Sequence, residues 1–506
     1  MDYCHNDFIY NAIGDHYEII DYIGKDKLIF IPEVYEGLLV KQIHLDAFKR
    51  NPKKVVILGE NIEVIHPFTH KVDDEIIIYQ PEGSHQIFDD SPFMAVRKGL
   101  IEIIKDGIFH YALLSDDEVN IIHSDILEYR FEPLGRFGER IVIEEMIEGH
   151  RVLGIENYAL MDVINLHAIS IPTTIKWIGR KCFFNTEMLE EIYLPESVQR
   201  VGKQAFAHCL NLKRVYLMNN EIELEDKAFE NSYRAMLYFS SGQRFMEITT
   251  DFNPDLLPTA LGYEKNIIIG DVEYALLNDH TAIVNGISTY DLIHLDLPDE
   301  VNGYKVAEIA PFAFYQERFL QSISVPDTIT AIHKSAFAES HIKKVKLSNA
   351  LKVIDDGLFS NCIYLKSIEI HEGVEIIQEG AFSRCVSLKE VILPRSLVII
   401  NNSSFFGCYH LRKVTFHERI EEIMPYAFFE ANLKEVILPS TLTSIGEMSF
   451  GNITKIAKLS ISNANASIHE AAFLGSEIIN FQIEGENCKK PEVWQIQQNK
   501  QSGQIK

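Results

Sequence analysis

Five basic residues, Lys343, Lys366, Lys389, Arg412 and Lys434, recur at intervals of 22 or 23 residues. If one interval is one turn of a stacked structure, the five form a column of cations about 4.8 Å apart, the spacing of neighbouring parallel strands. Lys344, Lys346, Lys413 and Lys458 fall at adjoining positions, and Glu369, Glu390 and Glu435 oppose them. Two readings compete for this pattern. In one, the long aliphatic stems cover apolar surface while the charged heads reach water. In the other, the strip holds an anionic partner, either an acidic protein or a carboxylated or sulfated glycan. Like charges on adjacent strands repel, and salt weakens both that repulsion and any attraction to an anion.

Other residues with chemistry to offer show no such order. The chain has 19 histidines, but none stands in a His-Glu-x-x-His arrangement, so no metal site is expected. Asp116-Asp117-Glu118 lies in no calcium-loop pattern. No phosphate-binding glycine loop, Gly-x-Ser-x-Gly elbow or recognisable Cys/His nucleophile pair occurs. The expectation is therefore a chain without catalytic residues or a cofactor. Seven cysteines are present but no Cys-x-x-Cys pair. Cys209, Cys362, Cys385 and Cys408 each follow a phenylalanine by three residues, where other turns place Ser or Ala. They read as small buried side chains that stay free.

Bulk properties narrow the partners. A net charge of -26 with pI near 5.2 opposes non-specific binding to nucleic acid or anionic membranes. No apolar run approaches the roughly 20 residues that span a bilayer, so membrane insertion is not expected. The opening residues Met1 to Asp7 lack the basic and apolar regions of a secretory leader. Cytoplasmic residence is the expectation, with the cell surface or secretion as the alternative.

The elements that must position these residues announce themselves by period. Phe314, Phe337, Phe359, Phe382, Phe405, Phe428, Phe450 and Phe473 are spaced by 22 or 23 residues, usually behind Ala or another small residue. A second column, Leu320, Ile342, Leu365, Leu388, Leu411, Leu433, Ile456 and Ile478, keeps the same step. Self-similarity at this period marks a solenoid, in which one turn cannot bury its apolar face but stacked turns share a core. In one turn, Val391-Ile392-Leu393 alternates as a strand requires, and Pro394 ends the pairing for want of an N–H. Leu166, Leu189 and Leu212, with Leu160, Phe183, Phe206 and Phe229, extend both columns upstream.

Leu189-Glu190-Glu191-Ile192-Tyr193-Leu194-Pro195, followed by Val201-Gly202-Lys203-Gln204-Ala205-Phe206-Ala207-His208-Cys209, resembles the BspA-like branch of the leucine-rich repeats. The resemblance covers about two-thirds of the chain. It implies an α/β repeat solenoid with turns of about 23 residues and short parallel strands on a concave face, the face on which the basic strip would lie. It also implies contact with protein or glycan, often in cell-surface adhesins.

Three segments look like starts: Ile31 to Ala47-Phe48, Ile147 to Ala159-Leu160, and Leu297 to Ala313-Phe314. Phe109 to Asp117 and Val272 to His280 mirror one another as hairpins ahead of the last two. The organisation expected is a degenerate capped module over 1–140, a second module over 141–292, a main solenoid over 293–483 and a polar tail over 484–506. The first module keeps the period least well, and Ser240 to Pro258 interrupts it. The function expected is a non-catalytic binding scaffold. The alternatives are a surface adhesin and an enzyme with its site in the irregular segments near 69–110 or 231–270.

Overall fold

The structure is a computed structural model that describes residues 7–49, 55–66, 76–84, 94–115, 118–125, 140–163, 165–240, 259–289, 291–483 and 486–487. Asp116-Asp117, the interruption at 241–258, much of 69–93 and nearly all of the tail fall outside the described residues. The chain divides into two compact units, Met1–Thr259 and Ala260–Lys506.

In the second unit each turn contributes two short parallel strands. One ladder runs Val353–Ile354, Ile376–Ile377, Ile399–Ile400, Glu422–Ile423, Ser444–Ile445 and Ser467–Ile468. The other lies on the far side of the core and comes in three runs. His294–Asp296, Ser322–Ser324 and Lys344–Lys346 form the first, and Ser367–Glu369, Glu390–Ile392 and Lys413–Thr415 the second. Glu435–Leu438, Ile456–Ile461 and Ile478–Ile483 form the third, closed by the antiparallel Glu486–Asn487. Val391 and Leu393 point inward and Ile392 outward, as the alternation requires.

Between the ladders runs the return path that carries the Ala-Phe pairs. Its amides bond turn to turn: Phe359 N–H donates to Ala381 O, Phe382 N–H to Ser404 O and Phe405 N–H to Ala427 O, each at 2.7 Å. The rings of Phe314, Phe337, Phe359, Phe382, Phe405, Phe428, Phe450 and Phe473 stack in one unbroken column, with neighbouring centroids 5.1 to 5.4 Å apart. All eight rings are fully buried. A fixed period thus places identical side chains in register and makes the core continuous.

The α/β expectation is corrected here. Among the described residues the only helix is a single 3-10 turn, Leu45–Phe48, and the return path is built of turns. The reason lies in two left-handed residues, four apart, that flank the Ala-Phe pair of turn after turn. Gly380 and Arg384 have φ of 62° and 58°, Tyr426 and Glu430 60° and 61°, and Lys181 and Asn185 49° and 59°. Left-handed residues are tolerated singly and end a right-handed helix.

The first unit uses the same turn. The rings of Phe183, Phe206 and Phe229 stack at 5.0 and 5.4 Å, and Ala168–Ser170, Glu191–Leu194, Arg214–Leu217 and Met236–Phe239 form a parallel ladder. A hairpin precedes each of the three starts. Phe8–Ile13 pairs with His16–Tyr22, Phe109–Leu114 with Val119–Ser124, and Val272–Leu277 with Thr281–Ile287. In each case the second strand then runs parallel to the next long strand, Leu38–His44, His150–Ile155 or Tyr304–Ile309. That long strand is entered through a tight turn, Glu36-Gly37, Glu148-Gly149 or Asn302-Gly303, with both residues at positive φ, the geometry that matches strand twist.

Candidate functional site

The basic column sits at the residue that enters each strand of the second ladder. Here the backbone of one turn bonds directly to the next: Lys343 N–H donates to Gln321 O at 2.8 Å, Lys389 N–H to Lys366 O at 3.2 Å, Arg412 N–H to Lys389 O at 2.9 Å and Lys434 N–H to Arg412 O at 3.2 Å. Lys366, Lys389, Arg412 and Lys434 are therefore neighbours in space, Lys343 stands at the same position one turn earlier, and all five are exposed. The core leaves them no inward choice, because Ile342, Leu365, Leu388, Leu411 and Leu433, each one residue earlier, fill the interior.

Lys344, Lys413 and Lys458 stand in the adjoining outward column, interleaved with Ser367, Glu390 and Glu435. Lys346 stands in the next, followed by Glu369, Ile392, Thr415 and Ile437. Of the nine cations, Lys458 alone is half-buried. Some are engaged: Lys413 Nζ meets Glu390 Oε1 at 3.1 Å, Lys343 Nζ donates to Gln321 Oε1 at 3.0 Å, and Lys434 Nζ donates to Asn432 Oδ1 at 2.9 Å. Lys366, Lys389 and Arg412, at the centre of the column, have no acidic partner within ion-pair distance among the described residues. Ile392 and Ile437, 58% and 49% exposed, add apolar surface beside them. The arrangement offers a row of cations with a hydrophobic margin and no group poised for bond-breaking.

A depression lies on the return path of the same unit. It is shallow, about 350 Å³, and lined by Glu339, Ser360, Asn361, Ser383, Arg384, Ser403 and Phe406. Sequence reading did not find it, because its residues are those of the left-handed positions and their neighbours, and the left-handed ones, Glu339, Asn361, Arg384 and Ser403, share no side-chain type.

The cysteines are free and buried at Cys182, Cys209, Cys362, Cys385 and Cys408. Burial pushes the Cys209, Cys362 and Cys408 thiols up to about 12 and that of Cys385 well above its ordinary value, which removes them as nucleophiles at neutral pH.

Sequence reading also missed a cluster in the first unit, where Glu18, His44 and His66 converge so that one ligand atom from each lies within 4.8 Å of the others. The signal available was the interval of 22 residues between the two histidines, one solenoid turn. Among the described residues no helix is long and apolar enough to cross a membrane.

The family described as BspA type leucine rich repeat region matches the chain in six copies, over residues 137–250, 291–397 and 375–493. Among solved structures, a leucine rich cell surface protein from Faecalibacterium prausnitzii is 19% identical, over 82% of this chain and 94% of that one, with a TM-score of 0.40. A leucine rich repeat protein from T. pallidum is 24% identical over 40% of this chain and 91% of its own, with a TM-score of 0.32. The pneumococcal vaccine antigen PcpA is 14% identical over 95% of this chain and 92% of its own, also at 0.32. No curated protein matches.

Proposed function

The chain belongs to the BspA-type leucine-rich-repeat family, and on that premise we propose that it is a non-catalytic scaffold whose basic strip holds an anionic protein or glycan. One observation carries the reading: five cations stand on successive turns of a chain whose net charge is -26, and among the described residues the middle three form no ion pair with an acid. Keeping like charges side by side costs stability in the free protein. A polyanion lying along the column removes that cost and gains one contact per turn.

The test uses heparin and poly-glutamate as probes. The wild-type chain binds at least one of them at low salt, and the affinity falls as salt rises, since exposed charges are screened beyond about 8 Å at physiological ionic strength. Lys366→Gln, Lys389→Gln, Arg412→Gln and Lys434→Gln combined abolish that binding while the circular dichroism spectrum stays unchanged. Failure of the wild type to bind either probe, or equal binding by the variant, overturns the reading.

A further inference from the structure

The cluster in the first unit rests on strand pairing alone and is independent of the basic strip. Glu18 lies on His16–Tyr22, His44 ends Leu38–His44, and His66 ends Val64–His66. These three strands run parallel in one sheet, with Glu18 opposite Gln42 and His44 opposite His66. Ile19 and Ile43, fully buried, point from one face into the core, so Glu18, Gln42 and His44, each one residue away, lie on the other face, as does His66, the partner of His44. An extra residue in Leu38–His44, at the register shift between Tyr17 and Glu18, sets Glu18 opposite Gln42 and diagonal to His44, a re-aiming that bulges commonly perform.

The side chains converge. Glu18 is only 8% exposed, and its Oε2 lies 3.2 Å from His44 Nε2. The rings of His44 and His66 stack with centroids 4.1 Å apart and planes within 19°. The outer partners needed to hold ligands in place are also present. Asn11 Nδ2 donates to Glu18 Oε1 at 2.6 Å, and Gln42 Oε1 accepts from His66 Nε2 at 3.1 Å. Gln42 Nε2 lies 3.1 Å from His16 Nε2, so Gln42 is itself anchored.

We infer that Glu18, His44 and His66 form a binding site for a divalent transition-metal cation of the zinc class. Two imidazoles and one carboxylate suit zinc, cobalt, nickel or ferrous iron, whereas calcium and magnesium take oxygen ligands. The alternative is a purely structural hydrogen bond between His44 and Glu18. That bond and the one between His66 and Gln42 hold each ring singly, but neither requires two stacked rings beside one buried carboxylate. Ligand atoms around a tetrahedral zinc with bonds of about 2.0 Å stand roughly 3.3 Å apart, so metal binding draws the side chains inward by rotamer adjustment while the sheet holds the backbones. Three protein ligands leave a coordination position for water or a group from a partner, and the ion clips the first hairpin to the next two turns.

Zinc chloride and cobalt chloride serve as probes, titrated into the full-length chain after chelator treatment. The wild type takes up one tight equivalent of zinc, its melting temperature rises, and cobalt gives visible d–d absorption. His44→Ala and His66→Ala each lose the tight equivalent and the cobalt spectrum, and Asn11→Ala weakens binding about tenfold through the outer shell. His110→Ala, elsewhere in the unit, binds zinc as the wild type does. Because ligands must be deprotonated, affinity falls as the pH is lowered. Cobalt absorption requires no change in stability, so a variant whose circular dichroism spectrum matches the wild type separates lost ligation from lost fold. Absence of a tight equivalent in the wild type, or its survival in His44→Ala or His66→Ala, overturns the inference.

Discussion

The Sγ of Cys385 donates to the carbonyl of Phe359, 3.1 Å away and one turn back. The same bond repeats from Cys362 to Phe337 at 3.0 Å, from Cys408 to Phe382 at 3.2 Å and from Cys209 to Phe183 at 3.1 Å. Two serines at the position make a shorter bond, Ser232 to Phe206 and Ser476 to Phe450, both at 2.6 Å. The position thus holds a small side chain that in these turns also donates, while Ala431 fills it by size alone. Cys385→Ser is expected to keep the bond and stay within about 1 kcal/mol of wild type, while Cys385→Ala forfeits about 1–2 kcal/mol for the lost donor and the small void. Urea unfolding ranks the two; an alanine variant as stable as the serine variant would refute the donor role. Iodoacetamide at about pH 8.5, where an ordinary thiol is half ionised, is expected to spare all five described cysteines until denaturant is added, as peptide mass spectrometry would show.

Phe382 sits between Phe359 and Phe405, at 5.4 and 5.1 Å, with interplanar angles of 12° and 7°. Removing its ring breaks the column at its middle and leaves a cavity that the bonded return path cannot collapse. Phe382→Ala is expected to cost about 3–5 kcal/mol, read from the denaturation midpoint. Phe382→Leu, which refills most of the volume, recovers the larger part. A Phe382→Ala variant with an unchanged midpoint would mean that the column contributes no stability.

Much of this was legible because a repeat displays each structural demand many times over. The phenylalanine column, the leucine and isoleucine column and the basic column each place one residue type at one spatial site, so their period survives in the sequence. The return path was not legible for the opposite reason. Its left-handed positions are filled by Lys181, Gln204, Ser335, Gly380, Tyr426 and Met448 alike, because the backbone demand is met at a small strain by almost any residue once the ladders on either side are formed. Hence a helix was expected where only turns fit. The two-residue ladder of Ile376–Ile377 and its neighbours was too short to show alternation. Glu18 was hidden differently: it stands 26 residues before His44 instead of 22 or 23, and the bulge that sets it opposite Gln42 leaves no compositional trace.

The last expectation concerns acid. His110 Nε2 lies 3.0 Å from Asp125 Oδ2, His123 Nε2 3.3 Å from Asp125 Oδ1, and Lys105 Nζ 2.6 Å from Asp125 Oδ2. Burial pushes the His123 imidazole down to about 4, with the neighbouring charge of His110 adding to the effect and Asp125 opposing it. Burial also works against ionisation of Asp125, yet hydrogen bonds from Lys105 and His110 hold its carboxyl below the usual value. An unfolded histidine titrates near 6.5, so between about 6.5 and 4 the unfolded chain binds a proton that folded His123 refuses. Stability therefore falls as pH drops through that window, by at most about 3 kcal/mol from this group. The depressed carboxyl of Asp125 acts lower: its contribution is complete above the unfolded value and is lost as pH falls through its folded one. His123→Gln keeps a polar side chain without the titration, so the slope of the urea midpoint between about pH 6.5 and 4 should flatten while the decline at lower pH persists. An unaltered slope in that window would show that His123 remains accessible to protons in the folded chain.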